Sequence, residues 1–386
     1  MRITFVITGL GMGGAEVQVC TLAAGLLRRG ATVQIVAMTS VRAEHPQLRD
    51  GAIDVRTLGM TRGQWSARDL VRYVKLVRAY RPDIVHSQMF HANVLARLGR
   101  PFIGVPLICT AQNTVEAPEH AKSAPVRTRL REVVYRVTDP LCELTTQVSV
   151  EGAERYIRVG ATPASKMRFV PNAIDCDRFQ PDADLRRQVR QELQLGDLFT
   201  WISIGRLVEQ KDPLTLLYAF GMASAATPCQ LLVVGGGPLE GQVRAEANKQ
   251  GLSDRVRFLG VRSDVRALLS AADGYVLASQ HEGLPLVLLE AGATGLPVVT
   301  TTAGIEAMSP GRSGWVVPIR DPAALSERMG ALMALRPEMR RAMGEQGRSF
   351  VSSRFALEPV LDTWEEIYTS ALGSHAFRSH RIDQSA

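Results

Sequence analysis

Two glutamates, Glu282 and Glu290, flank Pro285 at a spacing that could place both carboxylates in a sugar-phosphate site. Proline is favoured at the first position of a helix, so Glu282 is predicted in the loop ahead of a helix and Glu290 in its second turn. Free backbone amides at a helix start bind phosphate oxygens, and carboxylates accept hydrogen bonds from sugar hydroxyls. The alternative is a capping Glu282 and a solvent-facing Glu290. Because Glu290 lies in an apolar run, where an unpartnered carboxylate is costly, the pattern favours ligand binding.

Two cations follow a predicted strand in the same half of the chain. Arg206 and Lys211 come soon after residues 201–204, and Pro213 marks the next helix start. Cations at the carboxyl end of a parallel strand can bind a diphosphate, whereas the alternative is an ordinary solvated surface. The glycine run centred on Gly236 follows the next strand in the same way and is a further phosphate-binding candidate. The sequence has no G-K-[ST], which excludes a P-loop.

A fourth candidate lies in the first part of the chain, where Gly9, Gly11 and Gly14 match G-x-G-x-x-G between a predicted strand and a predicted helix. Glycines let backbone amides approach an anion, and the helix N-terminus adds partial positive charge. A dinucleotide site needs an acid about 20 residues onward, at the end of the second strand. That strand ends at residues 37–40 without a carboxylate, and Glu44 is the next acid. The loop is therefore predicted to bind phosphate or sugar but not NAD, with a structural tight turn as the alternative.

These candidates lie in a chain where short β-branched runs alternate with segments of helical period, up to about residue 170 and again from residue 199. Such alternation indicates parallel sheets with helices on both faces, and the polar stretch 175–196 between the two runs predicts two Rossmann-like domains. The predicted strands are 3–7, 32–38, 84–86, 107–110, 146–150, 167–170, 201–204, 231–234, 256–259, 275–277 and 297–300. The predicted helices are 16–29, 67–80, 265–272, 338–350 and 357–372, with others starting at 213, 239 and 285. Residues 373–386 are predicted to be frayed.

The composition is that of an ordinary globular protein, with 386 residues, 46% hydrophobic and 22% charged. These proportions exclude disordered, collagen-like and disulfide-stapled chains, and the length suggests about two domains of roughly 150 residues. No run reaches the ~18 apolar residues of a membrane helix. Five scattered cysteines without a C-x-x-C pair argue against a zinc ribbon or redox motif and favour a reducing cytoplasm. The first apolar run soon breaks at glycines, so we predict a buried strand there rather than a signal peptide.

Four elements in this order resemble the retaining glycosyltransferases of family 4, which have the GT-B fold. They are Gly13-Gly14-Ala15-Glu16, Arg206 with Lys211, residues 235–239, and the E-x7-E pair Glu282 and Glu290. Residues 170–175, 296–300 and 314–317 continue the likeness, which extends to about residue 370. The resemblance implies two Rossmann-like domains facing each other across a cleft, with residues 1–180 for the acceptor and 195–355 for the nucleotide sugar. Residues 356–386 would form a helix that packs back on the first domain, followed by a frayed tail.

The resemblance also implies a role for each matching residue in a transfer that retains the anomeric configuration. Arg206 and Lys211 would hold the donor diphosphate and stabilise the leaving nucleotide, and Glu282 would contact the donor sugar. The other donor-binding positions would supply ribose contacts or backbone amides: Gly13, Gly14, Gly236, Gly283, Leu284, Leu286 and Glu290. No metal or other cofactor is expected, since the cations and the helix N-terminus take over the metal's role. The donor would be linked to UDP or GDP.

Two glutamines depart from the family's pattern. Gln112 stands where the family commonly has a histidine near the donor sugar, and Gln88 stands where histidine is also frequent. Glutamine can donate a hydrogen bond but carries no charge. His91 is present and, like Gln112, is a candidate contact to the donor sugar, with a purely structural histidine as the alternative.

Two D-x-D sequences, Asp175-x-Asp177 and Asp182-x-Asp184, spell the metal motif of the other major glycosyltransferase fold. Both lie in the polar stretch, away from the strand ends where a site should form. We therefore predict that neither binds a metal.

The net charge of +7 is unevenly distributed along the chain. Residues 1–200 carry 27 basic and 19 acidic side chains, whereas residues 201–386 carry 18 and 19. An anionic acceptor or an anionic membrane surface docked on the first domain fits this asymmetry better than a nucleic acid bound by the whole protein. Two basic segments are candidates for that contact: Lys122 with Arg127, Arg129, Arg131 and Arg136, and Arg68 with Arg72 and Lys75. The alternatives are solvated faces and, for the first segment, a nucleic-acid patch.

We predict a cytoplasmic enzyme that moves a hexosyl or N-acetylhexosaminyl group from a nucleotide sugar to a saccharide or lipid-linked acceptor. Such an enzyme would act in the synthesis of cell-surface polysaccharide, lipopolysaccharide or glycolipid, and it could associate with the inner face of the cytoplasmic membrane. The alternatives are a sugar-nucleotide epimerase or phosphorylase of similar fold, and a catalytically silent homologue acting as a binding partner, which Gln112 would favour.

Overall fold

The computed structural model describes residues 1–41, 45–48, 51–61, 64–112 and 125–383, with side chains described except at residues 46, 125–127 and 376–383. The chain forms two compact units. Unit 1 comprises Met1–Ala173 and Leu357–Ala386, and unit 2 comprises Ile174–Ala356. Each unit contains one parallel β-sheet.

Unit 1 is an α/β unit with a seven-stranded sheet. The strands are β1 (Arg2–Ile7), β2 (Thr32–Ala37), β3 (Asp54–Thr57), β4 (Ile84–Gln88), β5 (Leu107–Ala111), β6 (Leu144–Gln147) and β7 (Met167–Phe169). They lie in the order β3-β2-β1-β4-β5-β6-β7. The helices are α1 (Gly14–Arg28), α2 (Ala67–Tyr80), α3 (Phe90–Ile103), α4 (Pro125–Thr138), α5 (Val150–Arg158) and, from the second segment of the unit, α13 (Leu357–Asp383).

Alternate residues of the central strands of unit 1 face two different helical layers. In β1, Phe5 and Ile7 belong to a core cluster shared with α1 and α13, whereas Val6 belongs to a cluster shared with α2 and α3. Both faces of the sheet are therefore buried. This explains why these strands are continuous apolar runs instead of alternating apolar and polar residues.

Helix α13 packs on α1 and on the sheet of unit 1. The side chain of Trp364 is buried, and its ring centroid lies 4.4 Å from that of His86 in β4. The hydroxyl of Tyr368 lies 2.8 Å from His86 Nδ1. Gly25 permits the close approach of the two helices, because a Cβ atom at this position would lie 2.6 Å from Leu361 Cδ1. Helix α13 thus completes the core of unit 1.

Unit 2 is built in the same way around six strands. They are β8 (Phe199–Ile204), β9 (Cys229–Val234), β10 (Val256–Gly260), β11 (Gly274–Leu277), β12 (Val298–Thr301) and β13 (Gly314–Val317), in the order β10-β9-β8-β11-β12-β13. The helices are α6 (Ala183–Glu192), α7 (Pro213–Ala226), α8 (Glu240–Lys249), α9 (Val265–Ala271), α10 (Leu286–Ala293), α11 (Pro322–Ala334) and α12 (Pro337–Phe355). The two parallel sheets confirm the predicted fold class.

Several elements differ from the sequence-based prediction. Strand β6 ends at Gln147 instead of reaching residue 150, because Ser149 accepts a hydrogen bond from Gly152 N and caps α5. The stretch 175–196, predicted only as a polar divider, contains α6, which Asp182 caps. The edge strand β3 is not predicted, since it is short, charged and partly exposed.

The boundary between the units also differs from the expected one. The first segment of unit 1 ends at Ala173 instead of residue 180, and residues 181–194 belong to unit 2. The two ends of unit 2 meet, because Ile174 N donates a hydrogen bond to Phe355 O at 2.8 Å. This contact holds the start of the polar stretch to the end of α12.

The predicted frayed tail begins too early in the chain. Helix α13 continues to Asp383, beyond residue 373, where fraying was expected. Ala371 is buried, and His375 Nε2 lies 3.0 Å from Gly104 O, so contacts with unit 1 extend past the predicted helix end. Among the described residues, no helix is both long and apolar enough to cross a membrane.

Candidate functional site

The cations Arg206 and Lys211 and the carboxylate Glu282 lie on loops at one edge of the unit 2 sheet. Strands β9, β8 and β11 are neighbours, so the loops that follow their carboxyl ends lie side by side. The strand order reverses direction between β8 and β11. In open parallel sheets, ligands bind outside the carboxyl ends of the strands at such a switch point.

Lys211 and Glu282 form an ion pair across the loops that follow β8 and β11. Lys211 Nζ contacts Glu282 Oε1, and Ser279 Oγ donates a hydrogen bond to the same oxygen at 2.6 Å. The two charged side chains are only 18% and 8% exposed. An ammonium has three donors, so Lys211 can bind an anion and keep this contact. The sequence predicts separate ligand contacts for these residues and not their pairing with each other.

Backbone and amide hydrogen bonds join the same two loops. Gln280 N donates to Gln210 O at 2.8 Å, and Gln210 Nε2 donates to His281 O at 2.9 Å. The residues that directly precede Lys211 and Glu282 are therefore fixed relative to each other. Sequence reasoning missed both glutamines, because nothing in the local pattern distinguishes them from surface residues.

The glycine run after β9 is required largely by close packing of the backbone. A Cβ atom at Gly235 would lie 2.0 Å from Gly205 O, and one at Gly237 would lie 2.4 Å from Leu207 O. Gly236 is different, since its nearest neighbouring atoms would be 3.5 Å from a Cβ. Packing thus explains two of the three glycines and leaves Gly236 with space beside its backbone.

The remaining predicted residues of this edge differ in accessibility. Arg206 follows β8 and is exposed to solvent. Leu284 and Leu286 are buried, so a ligand could reach their backbone groups but not their side chains. Pro285 is the N-cap residue of α10, so the helix begins at Leu286, one residue later than predicted. Gly283 lies in the loop between Glu282 and this helix.

Glu290 lies in the second turn of α10, as predicted, and it is buried. Its burial raises the pKa of the carboxyl group from 4.5 to about 7, and the charge of Arg178 opposes this shift. A second buried residue, Tyr275 in β11, lies within electrostatic reach of both Glu290 and Glu282. Burial and these two carboxylates raise the pKa of the Tyr275 hydroxyl, which donates a hydrogen bond to Ile204 O at 3.2 Å. Sequence reasoning missed Tyr275, which looks like an ordinary strand residue.

In unit 1, the two departing glutamines contact each other. Gln88 ends β4 and Gln112 follows β5, and Gln112 Nε2 donates to Gln88 Oε1 at 2.8 Å. Among the described residues, Gln88 Nε2 is buried without a hydrogen-bond partner. The pair therefore leaves one buried amide donor at the carboxyl edge of this sheet.

His91 lies at the start of α3, close to aromatic side chains. Its ring centroid lies 5.3 Å from that of Phe90 and 6.2 Å from that of Trp65. These ring contacts give His91 a packing role and place it near the carboxyl edge of β4.

The N-terminus of α1 carries its own carboxylate. Gly13 is the N-cap residue of α1 and Gly14 is its first residue. A Cβ atom at Gly13 would lie 2.2 Å from Glu16 Oε2, so the Glu16 side chain folds back over the helix start. A carboxylate at this position interacts favourably with the helix dipole.

Three of the four carboxylates of the D-x-D sequences, those of Asp175, Asp182 and Asp184, have structural contacts. Asp175 Oδ1 accepts hydrogen bonds from the backbone amides of Asp177 and Arg178. Asp182 caps α6 and pairs with an arginine of α9, and Asp184 pairs with an arginine of its own helix. In the part of the chain that the structure describes, no three His, Cys, Asp or Glu side chains are grouped to hold a metal ion.

Two family models match most of the chain. The model of Glycosyltransferase Family 4 matches residues 12–178, and the model of Glycosyl transferases group 1 matches residues 186–350. The D-inositol 3-phosphate glycosyltransferase of Geodermatophilus obscurus is 31% identical over 317 residues, which cover 78% of this chain and 69% of that relative. The chain belongs to glycosyltransferase family 4.

Another relative of this family 4 chain matches a shorter segment. A GDP-mannose-dependent alpha-(1-6)-phosphatidylinositol monomannoside mannosyltransferase of Mycobacterium tuberculosis is 30% identical over 237 residues. The match covers 58% of this chain and 61% of the relative, which is less than two thirds of the relative's length.

A solved structure shows the same fold. The structure of Anabaena HepE in complex with UDP and glucose has a TM-score of 0.82 and 19% sequence identity, and the match covers 96% of this chain and 100% of HepE. Identity at this level shows the fold alone. The GT-B class expected from the motifs of this family 4 chain is thereby confirmed.

The buried Glu290 of this family 4 chain should make its stability depend on pH. Because the pKa is about 7 in the folded state and 4.5 ordinarily, the folded state binds the proton more tightly. The free energy of unfolding therefore falls as the pH rises from about 4.5 through about 7. Glu290→Gln removes this dependence. The free energy of unfolding of the variant minus that of the unmodified protein should therefore increase by about 3 kcal/mol from pH 4 to pH 8.

Urea unfolding of both proteins at several pH values would measure this difference. Glu345→Gln is a matched control, because the Glu345 side chain is 65% exposed and should give no comparable change with pH. A constant difference between Glu290→Gln and the unmodified protein would contradict the assignment of a raised pKa to Glu290.

Proposed function

We propose that this family 4 chain transfers a sugar from a nucleoside-diphosphate sugar to a hydroxyl group of a saccharide or lipid-linked acceptor, with retention of configuration. The observation that carries this proposal is the Lys211–Glu282 pair at the switch point of the unit 2 sheet. The pair places a cation and a hydrogen-bond acceptor side by side where a sugar diphosphate needs both. The family of the chain and the N-terminus of α10 in the same loop support it.

The proposed roles follow from the chemistry of each group. Lys211 and Arg206 stabilise negative charge on the leaving diphosphate, as does the start of α10 after Gly283. Glu282 accepts hydrogen bonds from hydroxyls of the transferred sugar, and Glu290 accepts them from the ribose. Backbone amides near Gly236 complete the phosphate contacts.

Further proposed donor contacts lie in unit 1. They are the start of α1 at Gly13 and Gly14, together with Gln112 and His91. The buried Nε2 donor of Gln88 supports a polar ligand next to Gln112. At α1 the ligand has to share the helix start with the carboxylate of Glu16.

The proposed reaction breaks the bond between the anomeric carbon and the phosphate oxygen and forms a bond from that carbon to the acceptor oxygen on the same face. The acceptor proton passes to the leaving phosphate oxygen, so no external base is required. The cations neutralise the charge that a divalent metal neutralises in other transferases, and we propose that no metal or other cofactor takes part.

Relatives indicate the classes of donor and acceptor to be tested. The mycobacterial relative is named for GDP-mannose and a phosphatidylinositol monomannoside, and HepE is seen with UDP and glucose. For this chain we propose a UDP- or GDP-linked hexose or N-acetylhexosamine. The product would be a cell-surface polysaccharide, lipopolysaccharide or glycolipid, made in the cytoplasm.

Thermal unfolding with a panel of UDP- and GDP-sugars in the presence of EDTA tests this function. One nucleotide series should raise the melting temperature, and the labelled sugar of that series should pass to a lipid or saccharide extract. Release of a sugar phosphate when inorganic phosphate is added as the acceptor would favour a phosphorylase instead. Epimerised donor would favour an epimerase, and binding without any reaction would favour a silent homologue.

We also propose that unit 1 contacts an anionic membrane surface through α4. Its solvent-facing side carries Leu130, Val133 and Val137, which are 62%, 49% and 70% exposed. The exposed Arg129 lies next to Leu130, so an apolar stripe adjoins a cation, as in helices that lie at a lipid interface. Of the basic segment predicted here, Lys122 and the side chain of Arg127 lie outside the described residues.

The other predicted basic segment has a different surface. Arg68, Arg72 and Lys75 are exposed on α2, where Val71 is the exposed large apolar residue of the helix. This face therefore has the cations without an apolar stripe of comparable length. For this reason we assign the membrane contact to α4.

The α4 proposal predicts binding to vesicles of phosphatidylcholine mixed with phosphatidylglycerol. Binding should weaken with added salt, which screens the cations, and without phosphatidylglycerol. Replacing Leu130 and Val137 together by serine should lower the vesicle affinity about tenfold or more, because each side chain loses roughly 1 kcal/mol of burial. Sedimentation measures the bound fraction, with Met222→Ser in unit 2 as the control, since Met222 is 51% exposed. Equal binding of all variants would exclude α4 as the contact.

A further inference from the structure

The side chain of Gln280 connects three loops at the candidate site. Its Nε2 donates a hydrogen bond to Asp212 Oδ2 at 3.2 Å, and its Oε1 accepts one from Arg320 Nη2 at 2.6 Å. Asp212 lies after β8, Gln280 after β11 and Arg320 after β13. One amide group therefore joins the loop of Lys211 to the loop of Glu282 and ties both to a third loop.

The two partners fix the orientation of this amide. A carboxylate can only accept hydrogen bonds, so Asp212 requires the Nε2 group of Gln280. A guanidinium can only donate, so Arg320 requires the Oε1 atom. Rotation of the amide by half a turn would break both hydrogen bonds at once. Gln280 thus has a single orientation in which both partners are satisfied.

Both partners are non-glycine residues in the left-handed region of backbone space. Asp212 has a φ angle of 45° and Arg320 has a φ angle of 57°. This conformation is unfavourable for residues with a Cβ atom and persists where surrounding contacts enforce it. Strained residues of this kind concentrate at functional sites, and here two of them bind the same side chain. Asp212 also directly follows Lys211.

We propose that Gln280 is a positioning residue that sets the location of Lys211 relative to Glu282. This inference rests on the proposed glycosyl transfer and adds a residue that does not touch the substrate. Because Gln280 acts through the loop geometry, its loss misplaces the cation without removing it. Small misplacements of reacting groups lower the rate of the chemical step more than they lower ligand affinity.

The arrangement allows a reciprocal exchange as the test. In Gln280→Glu, a carboxylate faces Asp212, so two anions repel each other while the contact with Arg320 remains. In Asp212→Asn, the side-chain oxygen caps α7, so the amino group of the asparagine faces Gln280 Nε2 and two donors meet. If the Gln280 amide turns to accept from the asparagine, its Nε2 group faces the donors of Arg320 instead. Asparagine still caps α7, so the helix start that Asp212 stabilises through Thr215 N is kept. The double variant restores one donor and one acceptor between the two positions.

Turnover and nucleotide affinity should respond differently to these changes. Each single variant should lower kcat about tenfold or more while the Kd for UDP or GDP changes less than threefold, and the double variant should recover most of the rate. The backbone N–H of residue 280 donates a hydrogen bond to Gln210 O. Its hydrogen exchange should accelerate in the single variants and slow again in the double variant. Melting temperatures show whether each variant is folded.

Two results would overturn the role of Gln280. The first is single variants with unchanged kcat in a protein whose unmodified form is active. The second is faster hydrogen exchange in both single variants without any recovery in the double variant. Failure of the proposed function has a different outcome, since the unmodified protein itself would then transfer no sugar, and hydrogen exchange would still decide whether Gln280 holds the loops.

Discussion

Replacement of Lys211 by alanine is expected to lower the rate of sugar transfer by about 10²–10³-fold. Removing one preorganised group that stabilises developing charge typically has an effect of this size. Lys211 is largely shielded from water, being 18% exposed, so its charge is less screened than that of a surface lysine. The chemical step should suffer most, because negative charge grows on the diphosphate as the glycosidic bond breaks.

The substitution also leaves Glu282 without its counter-charge, and this side effect has to be separated from catalysis. Breaking a buried pair by removing one partner is strongly destabilising, by about 3–5 kcal/mol where burial is complete. Lys211→Met with Glu282→Gln removes both charges together and should recover much of the lost stability without recovering activity. Melting temperatures and transfer rates of the variants would show both effects.

Lys249→Ala provides the matched control for Lys211→Ala. Lys249 is also a lysine of unit 2 paired with a glutamate, but its side chain is 78% exposed on α8. Its replacement should leave the transfer rate within twofold of the starting value. A folded Lys211→Ala protein that keeps more than a third of the activity would refute the proposed role of Lys211.

Replacement of Trp364 by alanine is expected to destabilise unit 1 by about 3–5 kcal/mol, the range for truncating a large buried aromatic side chain. Trp364 is 2% exposed and packs against His86 and Tyr368. The cavity would open between α13 and the sheet, so the contact between Tyr368 and His86 should loosen as well.

Denaturant unfolding followed by circular dichroism measures this loss. Trp65→Ala is the control, because Trp65 is 40% exposed and its replacement should change the free energy of unfolding by less than 1 kcal/mol. A loss below about 1 kcal/mol for Trp364→Ala would mean that α13 contributes little to the core of unit 1.

The sequence predicts the elements of this fold well, because its signals are local. The β-branched runs and helical periods identify most strands and helices, and Pro213 marks the start of α7. The polar stretch that contains α6 was less informative, since exposed helices lack a strong apolar period. Short edge strands such as β3 give a similarly weak signal.

The candidate site was predicted as a set of residues but not as a set of contacts. Lys211 and Glu282 meet because β11 lies beside β8, whereas the chain places β9 and β10 between them in sequence. Lateral strand order is a property of the whole sheet, and no local pattern specifies it. For the same reason the sequence does not predict the hydrogen bonds of the Gln280 side chain or the contact of Tyr368 with His86.

The discontinuous make-up of unit 1 has a consequence for synthesis on the ribosome. Its sheet comes from residues before Ala173, but the Trp364 and Tyr368 side chains that complete its core emerge only after all of unit 2. Unit 2 is one continuous segment and can finish folding first. Nascent unit 1 must therefore keep an apolar face open while about 180 residues are translated, which takes roughly 10–40 s at 5–20 residues per second. During that interval the exposed face is a natural binding site for chaperones.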